Sequence, residues 1–116
     1  AGHALEMARG AGCDVPPDWA AVPLLPGVAA RVEQGCITGA SGRNWASYGA
    51  EVVLPDDFPP EARALLTDPQ TAGGLLVSCA PGAVGQVQGV FAAHGFDAAA
   101  VVGRVGPAAA APRLRL

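Results

Sequence analysis

The chain has 116 residues, of which 51% are hydrophobic and 15% charged, with a formal net charge of −3. That length fits one domain with a buried core and excludes two. The basic residues are all Arg and scattered, and the uncharged stretch around residues 64–79 is broken by Asp68, Pro69, Gly73 and Gly74, which argues against a nucleic-acid surface and a membrane span.

Ala1, Ala4, Leu5, Ala8 and Ala11 recur at helical spacing and Gly12 follows as a stop, so residues 2–11 read as an amphipathic helix. No capping residue precedes it, and the opening Ala-Gly-His-Ala-Leu-Glu has neither an initiator Met nor the basic and apolar regions of a secretory signal. The start is therefore read as a cut inside a longer protein. Residues 13–15 suit a short strand that Pro16 and Pro17 end. Pro26 begins a short second helix, with Val28, Ala29 and Val32 as its apolar stripe and Gly35 as its stop. Residues 38–49 mix Gly, Ser, Arg43 and Asn44 without sustained periodicity; a loop is expected there, and it is the first place to look for ligand contacts.

Residues 51–54 suit a brief strand, Pro59 and Pro60 start a helix ending near Leu66, and Asp68-Pro69 makes a turn. Leu75 to Cys79 reads as a buried strand. Pro81 opens the clearest helix, with Val84, Val87, Gln88 and Phe91 on one face and Gly95 at its end. Val101, Val102 and Val105 predict a strand over 98–105, residues 108–111 form a linker, and 113–116 alternate as an edge strand does. A β-α-β unit with a right-handed crossover and a following hairpin results, with Val84, Val87 and Phe91 packed on Leu75, Val77 and Val102. Aromatics are only 5% of residues, so the core is built from Ala, Val and Leu, and Trp19, Trp45 and Phe91 are expected to anchor the core or an interface. Cys13, Cys36 and Cys79 show no C-x-x-C and no His at ligand spacing, which predicts reduced thiols in a cytoplasmic protein rather than a disulfide or a zinc site.

The run Asp68-Pro69-Gln70-Thr71-Ala72-Gly73-Gly74-Leu75-Leu76 resembles the Asp-Pro-Gln-Thr-Ser-Gly-Gly-Leu-Leu signature of the selenide, water dikinases, also called selenophosphate synthetases, and departs from it only at Ala72. Gly2-His3 with Glu6-Met7 is similar to that family's Gly-His-x-x-Glu-Met helix. Leu25-Pro26-Gly27-Val28, Arg43-Asn44, residues 46–49 and Val102-Gly103-Arg104-Val105 also fall where the family has similar runs. The resemblance covers nearly the whole chain and implies a single domain over 1–116, the C-terminal one of a longer enzyme whose catalytic, ATP-binding N-terminal domain is absent here. It implies an α+β fold with a mixed sheet of about four strands packed with helices, like the C-terminal domain of the aminoimidazole ribonucleotide synthetase-like fold.

The family's reaction yields selenophosphate, AMP and phosphate from selenide, ATP and water, with magnesium holding the nucleotide. Such chemistry needs neutralised phosphate oxygens and exclusion of water. By the same resemblance the nucleophilic Cys or selenocysteine, its Lys, the phosphate loop and the metal-binding Asp residues belong to the absent half. This chain is expected to hold no catalytic residue, metal or cofactor. Its partners are then its own N-terminal domain and a second subunit in a homodimer. Two segments are candidates for facing an inter-domain cleft: Gly39, Ser41, Arg43 and Asn44 in one, and Asp68, Gln70, Thr71, Gly73 and Gly74 in the other. Arg43 can pair bidentately with phosphate oxygens. Gly39-Ala40-Ser41 stands where the family has Gly-Gly-Thr, keeping the hydroxyl but restricting the backbone. The bland reading assigns both segments to a surface loop and a turn that bond local backbone, and pairs His3 with Glu6. A rival function is a stand-alone module that binds a small anion or a protein.

Overall fold

Helix α1 (Gly2–Ala11) turns Leu5 and Ala8 inward, because Ala and Leu recur every third or fourth residue along it. Gly12 ends it in the left-handed region at φ 65°, where its N–H returns to the carbonyls of Ala8 and Arg9. Leu5 meets Val52 and Leu114 at the centre of the core, with Val15, Trp45, Tyr48, Leu54 and Leu66 packed around them. The computed structural model describes residues 1–71 and 73–116, so Ala72 lies outside the described residues.

Short helix α2 (Val28–Glu33) packs on α4 (Pro60–Leu66), burying Val32 and Ala62. Pro60 suits the first turn of α4, where a backbone donor has no intrahelical partner. Between them, the expected loop at 38–49 is instead helix α3 (Gly39–Tyr48). Ser41 is buried and Trp45 and Tyr48 are half-buried on one face. That is a helical 4-then-3 spacing, which Gly and Ser mask in a hydropathy reading because the inward stripe begins with a hydroxyl. Gly49, just past α3, is dictated by close approach: a Cβ there would stand 2.8 Å from Cδ2 and Cε2 of Trp45. The guanidinium of Arg63 lies over the same indole, 5.2 Å from its centroid.

The mixed sheet of about four strands is not formed. Among the described residues the sheet has two parallel strands, β1 (Val52–Val53) and β2 (Leu114–Arg115), in register Val52 to Leu114 and Val53 to Arg115. Residues 13–17 add only isolated bridges, Val15 to Leu114, Cys13 to Ala108 and Pro17 to Gly103. Pro16, Pro17, Pro107 and Pro112 remove the ladder donors that would lengthen these pairings. The segment expected as an edge strand is therefore interior at Leu114, which bridges both Val15 and Val52 and is wholly buried. Asp14 fixes it there: its Oδ1 accepts from the Arg113 backbone N–H at 2.9 Å and its Oδ2 from Arg115 Nε at 2.7 Å.

Residues 73–102 differ. Leu75 to Cys79 is exposed and lies in no ladder, so the expected buried strand is absent, as is the strand over 98–105 apart from the Gly103 bridge. Helix α5 (Val84–Ala93) forms as expected, after a 3₁₀ turn over Pro81–Ala83 and before Gly95 at φ 82°. Val84, Val87 and Phe91 are only half-buried, and Phe91 meets Phe96 edge-on at 6.4 Å. They do not pack on a strand, because Leu75 is 81% and Val77 49% exposed. No β-α-β unit results: an apolar run supplies side chains for a strand, but the ladder needs a neighbour. The radius of gyration, 14.7 Å, exceeds the roughly 13 Å of a close-packed chain of this length.

Among the described residues no helix is long and apolar enough to cross a membrane. All three cysteines are free thiols.

Candidate functional site

The two candidate segments, about 30 residues apart, meet along one seam between α3 and the end of α4. Thr38, immediately before α3, donates from Oγ1 to Asp68 Oδ1 at 3.2 Å and stands 3.1 Å from Ser41 Oγ. Ser41 Oγ donates to the Ala64 carbonyl at 3.1 Å, and Asn44 Nδ2 donates to the Thr67 carbonyl at 2.8 Å. Two hydroxyl protons thus serve three contacts. A carboxylate is the stronger acceptor, so Thr38 gives its proton to Asp68, and Ser41 chooses between Ala64 and Thr38.

Asp68 is engaged at both oxygens, since Gln70 Nε2 donates to its Oδ2 at 2.8 Å. Thr67, 2% exposed, returns its hydroxyl proton to the Arg63 carbonyl at 2.9 Å and closes α4. These contacts satisfy the carbonyls that a helix end leaves unpaired. Ser41, Asn44, Asp68 and Gln70 therefore spend their polar groups within the seam, on partners across it or on each other rather than on the local backbone.

Arg43 is the exception. It is exposed on α3, enters none of the ion pairs among the described residues, and its Nη1 lies 3.6 Å from where a Gly39 Cβ would be. Its guanidinium consequently lies beside the first turn of α3. Gly39, Thr71, Gly73 and Gly74 are all exposed. Gly73 turns close on Gln70, whose Cβ would be 3.1 Å from an added side chain. Thr38 and Thr67 are the residues that sequence reasoning missed. Thr67 stands immediately before the Asp68-to-Leu76 run, and a Thr at the end of a helix, whose hydroxyl can reach the i−4 carbonyl, was the available sign.

Charged contacts elsewhere are structural. Arg9 reaches Glu51 at 2.6 Å and Glu6 at 3.3 Å, so Glu6 pairs with Arg9 and not with His3, which is exposed. Hydrogen bonding from Arg9 holds the Glu51 carboxyl below the ordinary range, and hydrogen bonding from Arg115 and then from the Arg113 backbone does the same for Asp14. Burial pushes the Tyr48 phenol up. Two open depressions, of about 290 and 360 Å³, are lined by Pro16, Asp18 and Arg104 and by Trp19, Leu24 and Leu65. Among the described residues no three of His, Cys, Asp or Glu converge, and the sequence has no Lys. Such a donor set does not fit magnesium, which wants several carboxylate or phosphate oxygens around it. What the arrangement offers, among the described residues, is a guanidinium in no ion pair beside a braced helix start, suited to a phosphate oxygen.

No family model matches the chain. Its relatives among curated proteins are named selenide, water dikinase. It is 59% identical over 104 residues to the one from Burkholderia ambifaria, covering 90% of this chain and 29% of that protein. The figures are the same for Pseudomonas straminea. For Rhizobium meliloti they are 51% over 109 residues, covering 94% of this chain and 31% of the relative. The chain thus spans about three-tenths of the length of these relatives and matches their C-terminal part.

Proposed function

We propose that this chain, a relative of the C-terminal part of the selenide, water dikinases, is the C-terminal domain of such an enzyme, one that makes selenophosphate, AMP and phosphate from selenide, ATP and water. Within it, residues 1–116 brace and close a nucleotide cleft rather than supply the reacting groups. Its partner is the N-terminal part of the same enzyme, which carries magnesium and most of the ATP contacts. The assembly is a homodimer in the cytoplasm, with neither nucleic acid nor membrane as a partner.

The observation that supports this role is the contrast within the seam. Thr38, Ser41, Asn44, Asp68 and Gln70 are tied to one another or to backbone, whereas Arg43 beside them is exposed and enters no ion pair among the described residues. A braced helix carrying one unengaged guanidinium positions a charge at little entropic cost and serves binding more than chemistry. Gly39 lies beside it, and Gly39, Thr71, Gly73 and Gly74 are exposed, backbone that a ligand or a second domain can approach closely.

The test joins this chain to the upstream part of the Burkholderia ambifaria relative. The chain alone forms no AMP from ATP and selenide, and the joined enzyme does. In the joined enzyme Arg43→Ala raises KM for ATP about tenfold without lowering the melting temperature, the loss expected for one charge-assisted contact. AMP formation by the chain alone, or unchanged kinetics in the Arg43→Ala enzyme, refutes the reading.

A further inference from the structure

We infer that the apolar side presented by residues 74–105 is the surface that docks against the larger, upstream part of the enzyme, an inference that rests on the reading above and assigns the contact to one face. Across residues 74–105 the only acidic or basic residues are His94, Asp97 and, near the end, Arg104. Leu75 is 81% exposed, Phe96 63%, Val90 57% and Val101 51%. Single exposed apolar residues are ordinary, but a run of them with almost no charge between is how a chain marks a face meant for burial.

Helix α5 points the same way. Val84, Val87 and Phe91 are half-sheltered on one side while Val90 stands open on another, and no residue of the helix is buried. A helix that is apolar on more than one side belongs between two layers, and here only one side is partly covered.

The occupant is argued from length and from place. These relatives have about seven-tenths of their length beyond what this chain matches, ample to cover such a face. The backbone nitrogen of Ala1 lies 2.6 Å from the Leu66 carbonyl, so anything joined upstream is delivered beside the segment that leads from the seam into Leu75 and Leu76. A tethered partner acts at roughly millimolar effective concentration, which favours it over a second copy arriving from solution.

Hydrogen exchange tests this on the chain alone and on the joined enzyme described above. The amides of residues 74–79 and 98–105 are expected to exchange freely in the chain alone and at least about tenfold more slowly in the joined enzyme, with those of α1 unchanged. Leu75→Asp and Val101→Asp, at exposed positions, leave the melting of the chain alone unchanged and restore fast exchange in the joined enzyme. Protection already present in the chain alone overturns the inference. If that protection rises with concentration the cover is a second copy, and if not the segments pair internally. Absence of added protection on joining overturns it too. Turnover without protection leaves the phosphotransfer reading standing and removes this one, whereas protection without turnover does the reverse.

Discussion

Leu114 and Leu75 both sit in short runs that read as strands, the first alternating with Arg as an edge strand does and the second apolar as a buried one is, yet the first is wholly buried and the second is 81% exposed. The difference is partners. Leu114 has Val52 on one side, Val15 on the other and Leu5 of α1 above, and Asp14 fastens the residues flanking it. Among the described residues Leu75 has no ladder and no covering helix. Hydrophobicity makes burial favourable, but the fold decides which residues obtain it.

The largest expected effect separates these two regions outright. Leu114→Ala should cost about 2–5 kcal/mol in chemical denaturation, the range for deleting a buried leucine side chain. Leu75→Ala should stay within about 0.5 kcal/mol. An equal loss at both positions would erase the distinction and show that the 74–105 region carries a packed core of its own.

Within the packed region, Gly49→Ala sharpens the comparison by testing sterics alone, because Gly49 has an ordinary φ of −59°. Its added Cβ meets the Trp45 ring at 2.8 Å, so about 1–3 kcal/mol is lost and the Trp45 emission shifts as the indole leaves Arg63. Gly85→Ala on α5, where nothing lies within 4 Å, should not destabilise and should raise helix propensity. Thermal melts of the two variants read the contrast directly.

The seam comes next. Asn44→Ala removes the donor to the Thr67 carbonyl and should cost about 1–2 kcal/mol, whereas Thr71→Ala, at an exposed residue, should leave the melting temperature unchanged. In the joined enzyme a rate defect at Thr71 with no stability loss would place that residue in the cleft, and a normal rate would remove it.

The smallest effect is electrostatic. Asp14 and Glu51 have folded-state pKa values below their unfolded values, so the stability they contribute is present above the ordinary carboxylate range and is lost as the pH falls through the depressed folded values. Unfolding midpoints should fall on acidification over that window. Asp14→Asn should flatten the acid limb, and salt should weaken the effect because these groups are near the surface.

Helices α1, α4 and α5 were legible because their apolar spacing and their Pro or Gly punctuation are local. Helix α3 was not, since Gly39, Ser41 and Gly42 obscure a face whose inward members are a hydroxyl and two aromatic rings. The strands expected at 51–54 and 113–116 form, as Val52–Val53 and Leu114–Arg115, but those at 75–79 and 98–105 do not, for a different reason: such a run looks like a strand in isolation, and only the position of a distant neighbour decides whether it becomes one. Of the site, the two segments were visible as polar, Gly-bearing runs, but not that the Thr38 hydroxyl and the Thr67 carbonyl would tie them together. A partner across the fold leaves no periodic trace.

The bond between Asp14 and Arg115 spans 101 residues of chain and sits beside the core's central leucine. During synthesis, Leu5 and Val52 leave the ribosome long before Leu114 does, and they wait without the side chain that seals them. Assembly of this core therefore waits until Leu114 has been made, and is slow to nucleate because the 101 residues between Asp14 and Arg115 must close as one loop. A nascent chain stalled a few residues short of Leu114 is the form a protease or a chaperone meets first.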